Sequence, residues 1–174
     1  MKKTFCLTFI VMICSAFFLN VQKLSASTLN ILINQIDVNS DESAFKDKDE
    51  KESENVQVFM DSLMDYMFNS GLIVSSEKIS MEKDVKSAEK IALKSSKEGF
   101  FDYLAIIKIK VDAQTDEVLN ASWQLKEVSS ASEKSSGYLV AKNKKKNMEK
   151  DASDFGSEVA KNIYSNASVL KGAF

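Results

Sequence analysis

Histidine, arginine and proline are absent from this chain of 174 residues, and cysteine occurs only twice. Each absence closes a class of chemistry. Without histidine there is no side chain whose ordinary pKa lies near neutrality, so the usual general base and the usual transition-metal ligand are both missing. Without arginine, all 23 basic residues are lysines, point charges that lack the planar fork for bidentate binding of phosphate or carboxylate. Glycine is scarce too: the five glycines form no Gly-rich phosphate loop. With no proline to break an element, helix and strand ends must be set by glycine, polar caps and charge.

Both cysteines, Cys6 and Cys14, lie in a segment that reads as an address. Met1-Lys2-Lys3 is cationic, Phe5 to Leu19 is almost wholly apolar, and Ser25-Ala26-Ser27 offers the small residues that a signal peptidase reads. Residues 1–27 are therefore expected to be a signal peptide, cut after Ser27 or Ala26, with a periplasmic or otherwise exported product. The alternative is a retained signal anchor or an outer-surface location. Cys14 follows Val11-Met12-Ile13, where a lipobox requires a small residue, so a lipid anchor is not expected. Removing residues 1–27 leaves 20 lysines against 25 acids, a balance of −5 that does not suit a nucleic-acid binder. Residues 28–174 are then expected to form a single α/β domain without thiols, disulfides or a cysteine-based metal site.

The stretch from Phe100 to Val128 organises that domain. Phe100 to Val111 starts as a continuous apolar run and ends in alternation, which predicts a strand buried on both faces that emerges on one. After a polar break at 112–117, Leu119, Ala121, Trp123 and Leu125 alternate with Asn120, Ser122, Gln124 and Lys126, predicting the return strand of a long antiparallel hairpin. Leu29 to Val38 predicts an earlier, central strand. A mobile, acidic loop is expected over 39–55. Where the strand runs into it, Asp37, Asn39 and Asp41 have the spacing that starts a calcium loop, but Glu42 stands where glycine is needed and Lys48 where a bidentate glutamate is needed, so no metal site is predicted.

Three helices follow from 3.6-residue periodicity. The first carries Val56, Phe59, Met60, Leu63, Met67 and Phe68 inward and stops at Gly71, before a short strand Leu72-Ile73-Val74. The second runs from Ser80 or Met81 to Lys97, with Met81, Val85, Ala88, Ile91 and Ala92 inward and Gly99 as its stop. The last spans about Lys150 to Ser165, with Met148, Ala152, Phe155, Val159 and Ile163 on one side. Its Gly156 costs about 1 kcal/mol against alanine, which points to close packing. Between hairpin and last helix, 129–136 reads as a flexible connection and Gly137 to Ala141 as one more strand. The fold class is thus α/β (α+β): one mixed sheet of about five strands with three helices packed on it, in the order β-α-β-α-β-β-β-α.

That order, with Gly71-Leu72-Ile73-Val74 closing the first helix and Phe101-Asp102-Tyr103-Leu104-Ala105-Ile106-Ile107 entering the central strand, resembles a family of bacterial envelope modules. Its members include the N-terminal domain of the Tol-Pal protein TolB, the curli-secretion channel protein CsgG and the penicillin-binding-protein activator LpoB. The resemblance covers roughly Leu29 to Ser165. It implies a non-enzymatic domain of the cell envelope that binds other proteins or helps assemble complexes.

The residues themselves favour the same class. A covalent enzyme would need a Ser-Lys pair, and Ser-x-x-Lys occurs at Ser43/Lys46, Ser75/Lys78, Ser80/Lys83, Ser87/Lys90 and Ser168/Lys171. This is about what the abundance of serine and lysine produces by chance, and no Gly-x-Ser-x-Gly accompanies it. No catalytic residue, cofactor or metal ligand is therefore predicted, and a Ser-Lys hydrolase is the lesser alternative. A surface-exposed, adhesin-like protein contacting host or matrix molecules is the other. Lys142, Lys144, Lys145 and Lys146 form the dense basic cluster outside the signal segment, a candidate contact for an envelope protein partner, an anionic membrane surface or a cell-wall polymer.

Overall fold

The computed structural model describes residues 26–39, 53–81, 85–142 and 147–170. The elements are β1 (Thr28–Val38), α1 (Glu54–Asn69), β2 (Ile73–Ser76), β3 (Ser80–Met81), α2 (Val85–Glu98), β4 (Tyr103–Asp112), β5 (Glu117–Glu127), β6 (Glu133–Val140) and α3 (Met148–Asn166), followed by a 3-10 turn at Ser168–Leu170. Their sheet order is β2-β1-β4-β5-β6, with the two-residue β3 paired to β1 beyond β2. β1 runs parallel to β2 and β4, whereas β4, β5 and β6 form an antiparallel meander. The predicted mixed sheet, its three helices and their order are all present.

Helices cover the two faces unequally. α1 and α3 lie on one face over Leu29, Ile31, Ile33, Ala105, Ile107, Ile109, Ala121, Trp123 and Leu125, in the main core. α2 lies on the other face, over a small cluster of Leu32, Leu104, Ile106 and Val128. β1 and the first half of β4 are thus buried on both faces, as their mostly apolar runs require, although β1 also buries Asn30, Asn34 and Gln35. β5 and β6 are covered on one face; on the other β5 keeps polar residues, whereas β6 carries Ser136, Tyr138 and Val140.

Gly156 lets α1 and α3 approach closely. A Cβ built on it would lie 2.3 Å from the Phe59 carbonyl oxygen. Beside this contact, the Phe59 and Phe155 rings meet at 5.7 Å and the Ser62 and Ser153 hydroxyls share a hydrogen bond of 2.7 Å. α1 starts on Ser53, whose hydroxyl accepts from the Val56 N–H, and α3 starts on Asn147, whose amide oxygen accepts from the Lys150 N–H.

Several expectations are corrected. Phe68 and Ile91, expected inward, are 67% and 63% exposed. At 100° per residue each lies about 120° from the centre of its helix's buried stripe, outside the face that the sheet covers. Ser80 and Met81 form strand β3 instead of starting α2, because pairing with Asn34 and Gln35 of β1 satisfies their backbone. Met148 opens α3 on its exposed side. Phe100, expected in the core strand, is instead exposed, with φ of 58° in the residue after Gly99, and β4 starts at Tyr103. On β5, Leu119 is an extra residue where the pairing jumps from Lys110–Asn120 to Val111–Val118, so Val118 takes the inward place expected of Leu119. β6 begins at Glu133, so the serine-rich stretch to Ser136 is largely strand. The acidic stretch 40–52 and the Asp41 of the calcium-like spacing lie outside the described residues.

Candidate functional site

The antiparallel half of the sheet presents the open surface. β6 is the terminal strand, and among the described residues nothing pairs with its outer side. The Ala141 N–H donates to the Leu119 carbonyl at 2.9 Å. Antiparallel alternation then turns the odd-numbered backbone groups of β6 toward β5 and leaves those of Ser136, Tyr138 and Val140 pointing outward. The side chains of these three residues lie on the face away from α1 and α3, opposite Gln124, Ser122 and Asn120 of β5. Tyr138 and Val140 are 61% and 58% exposed.

Sequence and packing together keep this edge straight. Lys134 is an extra residue where the pairing jumps from Leu125–Ser135 to Lys126–Glu133, so the regular segment starts at Ser135. At its middle, Gly137 lies under the Trp123 indole, where a Cβ would come within 2.6 Å of Nε1. That nitrogen donates to Asn162 Oδ1 on α3 at 3.0 Å, fixing the ring behind β6. The result is a seven-residue run, Ser135 to Ala141, with no charge and with lysines only at its two ends.

Beside it lies a shallow cavity of about 440 Å³ lined by Ile106, Lys108, Ser122, Gln124, Ser136 and Tyr138, with Trp123 and Gly137. Its charges are paired. Glu89 of α2 reaches Lys108 at 3.1 Å and Lys126 at 3.8 Å. Gln124 donates to Glu133. Hydrogen bonds from Ser136 and Gln124, with the Lys126 charge nearby, hold the Glu133 carboxyl below the usual range. A carboxylate kept ionised in this way is a poor proton donor at neutral pH. The arrangement therefore offers hydroxyl, amide and aromatic contacts and an unpaired strand edge, which suits binding.

Of the residues singled out in the sequence, Lys142 is described: its side chain is 81% exposed and its Nζ lies 3.5 Å from Glu158 Oε1 of α3. It stands just past the end of β6. Lys144, Lys145 and Lys146 lie outside the described residues, as do Ser43, Lys46, Lys83 and Lys171 of the Ser-x-x-Lys pairs. Tyr138 and Val140 were missed as site residues. The signal was their alternation with Gly137 and Leu139 between two lysines, hidden because the serines before them read as a connection.

Solved structures similar to this chain include lipoprotein GNA1162 from Neisseria meningitidis, at 13% identity and a TM-score of 0.47, covering 82% of this chain and 99% of that one. The LpoB C-terminal domain from Salmonella enterica is similar at 12% identity and a TM-score of 0.44, covering 74% and 92%. TolB from Acinetobacter baumannii is similar at 14% identity and a TM-score of 0.42, covering 82% of this chain and 28% of that protein. LpoB and TolB are of the type that the sequence resembles. At these scores the likenesses say nothing of function. No curated protein matches the chain. Over residues 43–168 the sequence matches the model of a family described as "Uncharacterised protein", and this chain belongs to that family.

Proposed function

We propose that this is an exported, non-enzymatic binding module of the bacterial cell envelope that holds another protein by strand addition to β6. One observation carries the reading: an open strand edge, uncharged from Ser135 to Ala141, with the backbone groups of Ser136, Tyr138 and Val140 turned outward and two large apolar side chains exposed beside them. Open edges are ordinarily blunted by charge, proline or a bulge, and here those features stop at the ends of the run. The occupant is an extended segment of a different polypeptide, apolar in its middle and acidic at its ends, where Lys134 and Lys142 lie 3.1 Å from Glu127 and 3.5 Å from Glu158 and can exchange these partners. A second copy fits less well. Antiparallel pairing of two β6 strands about Tyr138 sets Lys134 opposite the other copy's Lys142 at both ends, which repels. The lysines following Lys142 in the sequence, Lys144, Lys145 and Lys146, extend the same basic end.

Native gel filtration of envelope extracts tests this, comparing the wild type with Tyr138→Lys. The wild type is expected to elute in a complex above its own mass and the variant as a free monomer. Identical elution of the two proteins contradicts the reading.

A further inference from the structure

The first strand begins at the residue where the address segment ends, and the structure has a receptor for that point. The Thr28 N–H donates to Asp102 Oδ2 at 2.9 Å, and the Thr28 hydroxyl donates to the same oxygen at 2.9 Å. In return the Asp102 N–H donates to Thr28 Oγ1 at 2.8 Å. The Asp102 carboxylate thus sits on the backbone nitrogen that follows Ser25-Ala26-Ser27.

We propose that a signal peptidase hydrolyses the Ser27–Thr28 bond and that the Asp102 carboxylate holds the Thr28 α-ammonium so formed; this rests on the export reading above. Water adds across the peptide bond. Residues 1–27 leave with a carboxylate on Ser27, and Thr28 keeps its nitrogen, which takes up a proton. A hydrogen bond from a neutral N–H to an ionised carboxylate then becomes an ion pair in the same place, between groups already at hydrogen-bond distance. Cutting one residue earlier leaves Ser27 attached and moves the new amine a residue's length, about 3.3 Å, away from Asp102. That earlier cut also places Leu24, instead of Ser25, at the third position before the bond, where the peptidase reads a small side chain. Among the described residues the cut removes the Ser27 carbonyl, which accepts from the Ile73 N–H at 3.1 Å at the β2 edge, where water can replace it.

The order of events follows from the same bonds. Thr28 is engaged by Asp102 and, in the parallel ladder, faces Ile73, so the scissile bond is not free to enter a protease cleft once β1 has docked. Cleavage precedes docking, and the ammonium then fixes the start of β1 to the start of β4.

The test uses the full chain, expressed in exporting bacterial cells and recovered from the envelope. Intact mass and N-terminal sequencing are expected to give Thr28 as the first residue. Modification of the α-amine by an activated ester at neutral pH is then expected to be several-fold slower in the wild type than in Asp102→Asn. Asp102 also joins β1 to β4, so a second comparison uses the wild type alone, whose protection is expected to fall at high salt as an ion pair is screened. An N-terminus other than Thr28 on exported protein overturns the inference and leaves the export reading intact. An uncleaved, cytoplasmic chain overturns both. A Thr28 terminus whose amine reacts equally in wild type and variant, and equally at low and high salt, overturns the pairing.

Discussion

Replacing Gly156 by alanine sets two opposed effects against each other, and their sizes decide the outcome. In an isolated helix the change is favourable by about 1 kcal/mol, because alanine is the better helix former. Here the added Cβ lies 2.3 Å from the Phe59 carbonyl oxygen, 3.1 Å from its carbon and 3.2 Å from its Cα. Overpacking a core costs typically about 1–3 kcal/mol. The obstacle at Gly156 is main chain within α1, which cannot rotate aside, so the upper end of that range applies. The expected net loss is about 2 kcal/mol, which lowers the melting temperature by roughly 4–8 °C for a domain of this size. Urea denaturation followed by Trp123 fluorescence reads it directly. Gly99→Ala is the milder comparison: its Cβ meets the Phe101 ring at 2.7 Å and the Ser95 carbonyl oxygen at 3.3 Å, and a half-buried ring can shift where main chain cannot, so a loss of no more than about 1 kcal/mol is expected. A Gly156→Ala protein as stable as the wild type refutes the claim that the α1–α3 contact is set by the missing side chain.

Asn34 is fully buried on β1, and among the described residues neither its amide nitrogen nor its oxygen has a hydrogen-bond partner; Asn34→Leu is expected to raise the urea-derived stability by about 1–2 kcal/mol, and a loss of stability contradicts an unsatisfied amide. On the acid side, hydrogen bonds hold Asp112, Glu127 and Glu133 below the ordinary carboxylate range. Their contribution is present above the unfolded values near about 4 and is lost as pH falls through the lower folded ones. The urea midpoint should therefore drop below about pH 4, less steeply in Glu133→Gln. On the alkaline side, burial, then the charges of Asp102 and Glu127, push the Tyr103 hydroxyl up. That contribution is present below about pH 10 and declines as pH rises through the folded value, a slope that Tyr103→Phe should remove.

The fold was legible where periodicity and burial agree. Leu29 to Gln35 and Leu104 to Ile107 are buried on both faces because helices cover both, and both runs are mostly apolar in sequence. Gly156 announced the closest helix contact through its cost alone. What escaped reading depended on partners distant in sequence. Phe68 and Ile91 are apolar but lie about 120° from the centre of each buried stripe, and how wide a face the sheet covers decides that they stay outside. Leu119 and Val118 exchange places through one extra residue in the ladder, which alternation within a single strand does not reveal. Ser135 and Ser136 are poor strand formers held in β6 by pairing with Leu125 and Gln124. Because β6 was read too short, its uncharged edge went unnoticed, while the lysines beyond it, the visible feature, mark only one end.

Site-specific photo-crosslinking in exporting cells tests the central claim most directly. A photoreactive side chain at position 138 is expected to capture one discrete protein of different mass through a segment with acidic ends, whereas the same group at the exposed position 91 on α2 captures none. Equal capture at both positions, no capture at 138, or a product of twice the chain's own mass contradicts a β6 edge that receives a foreign strand.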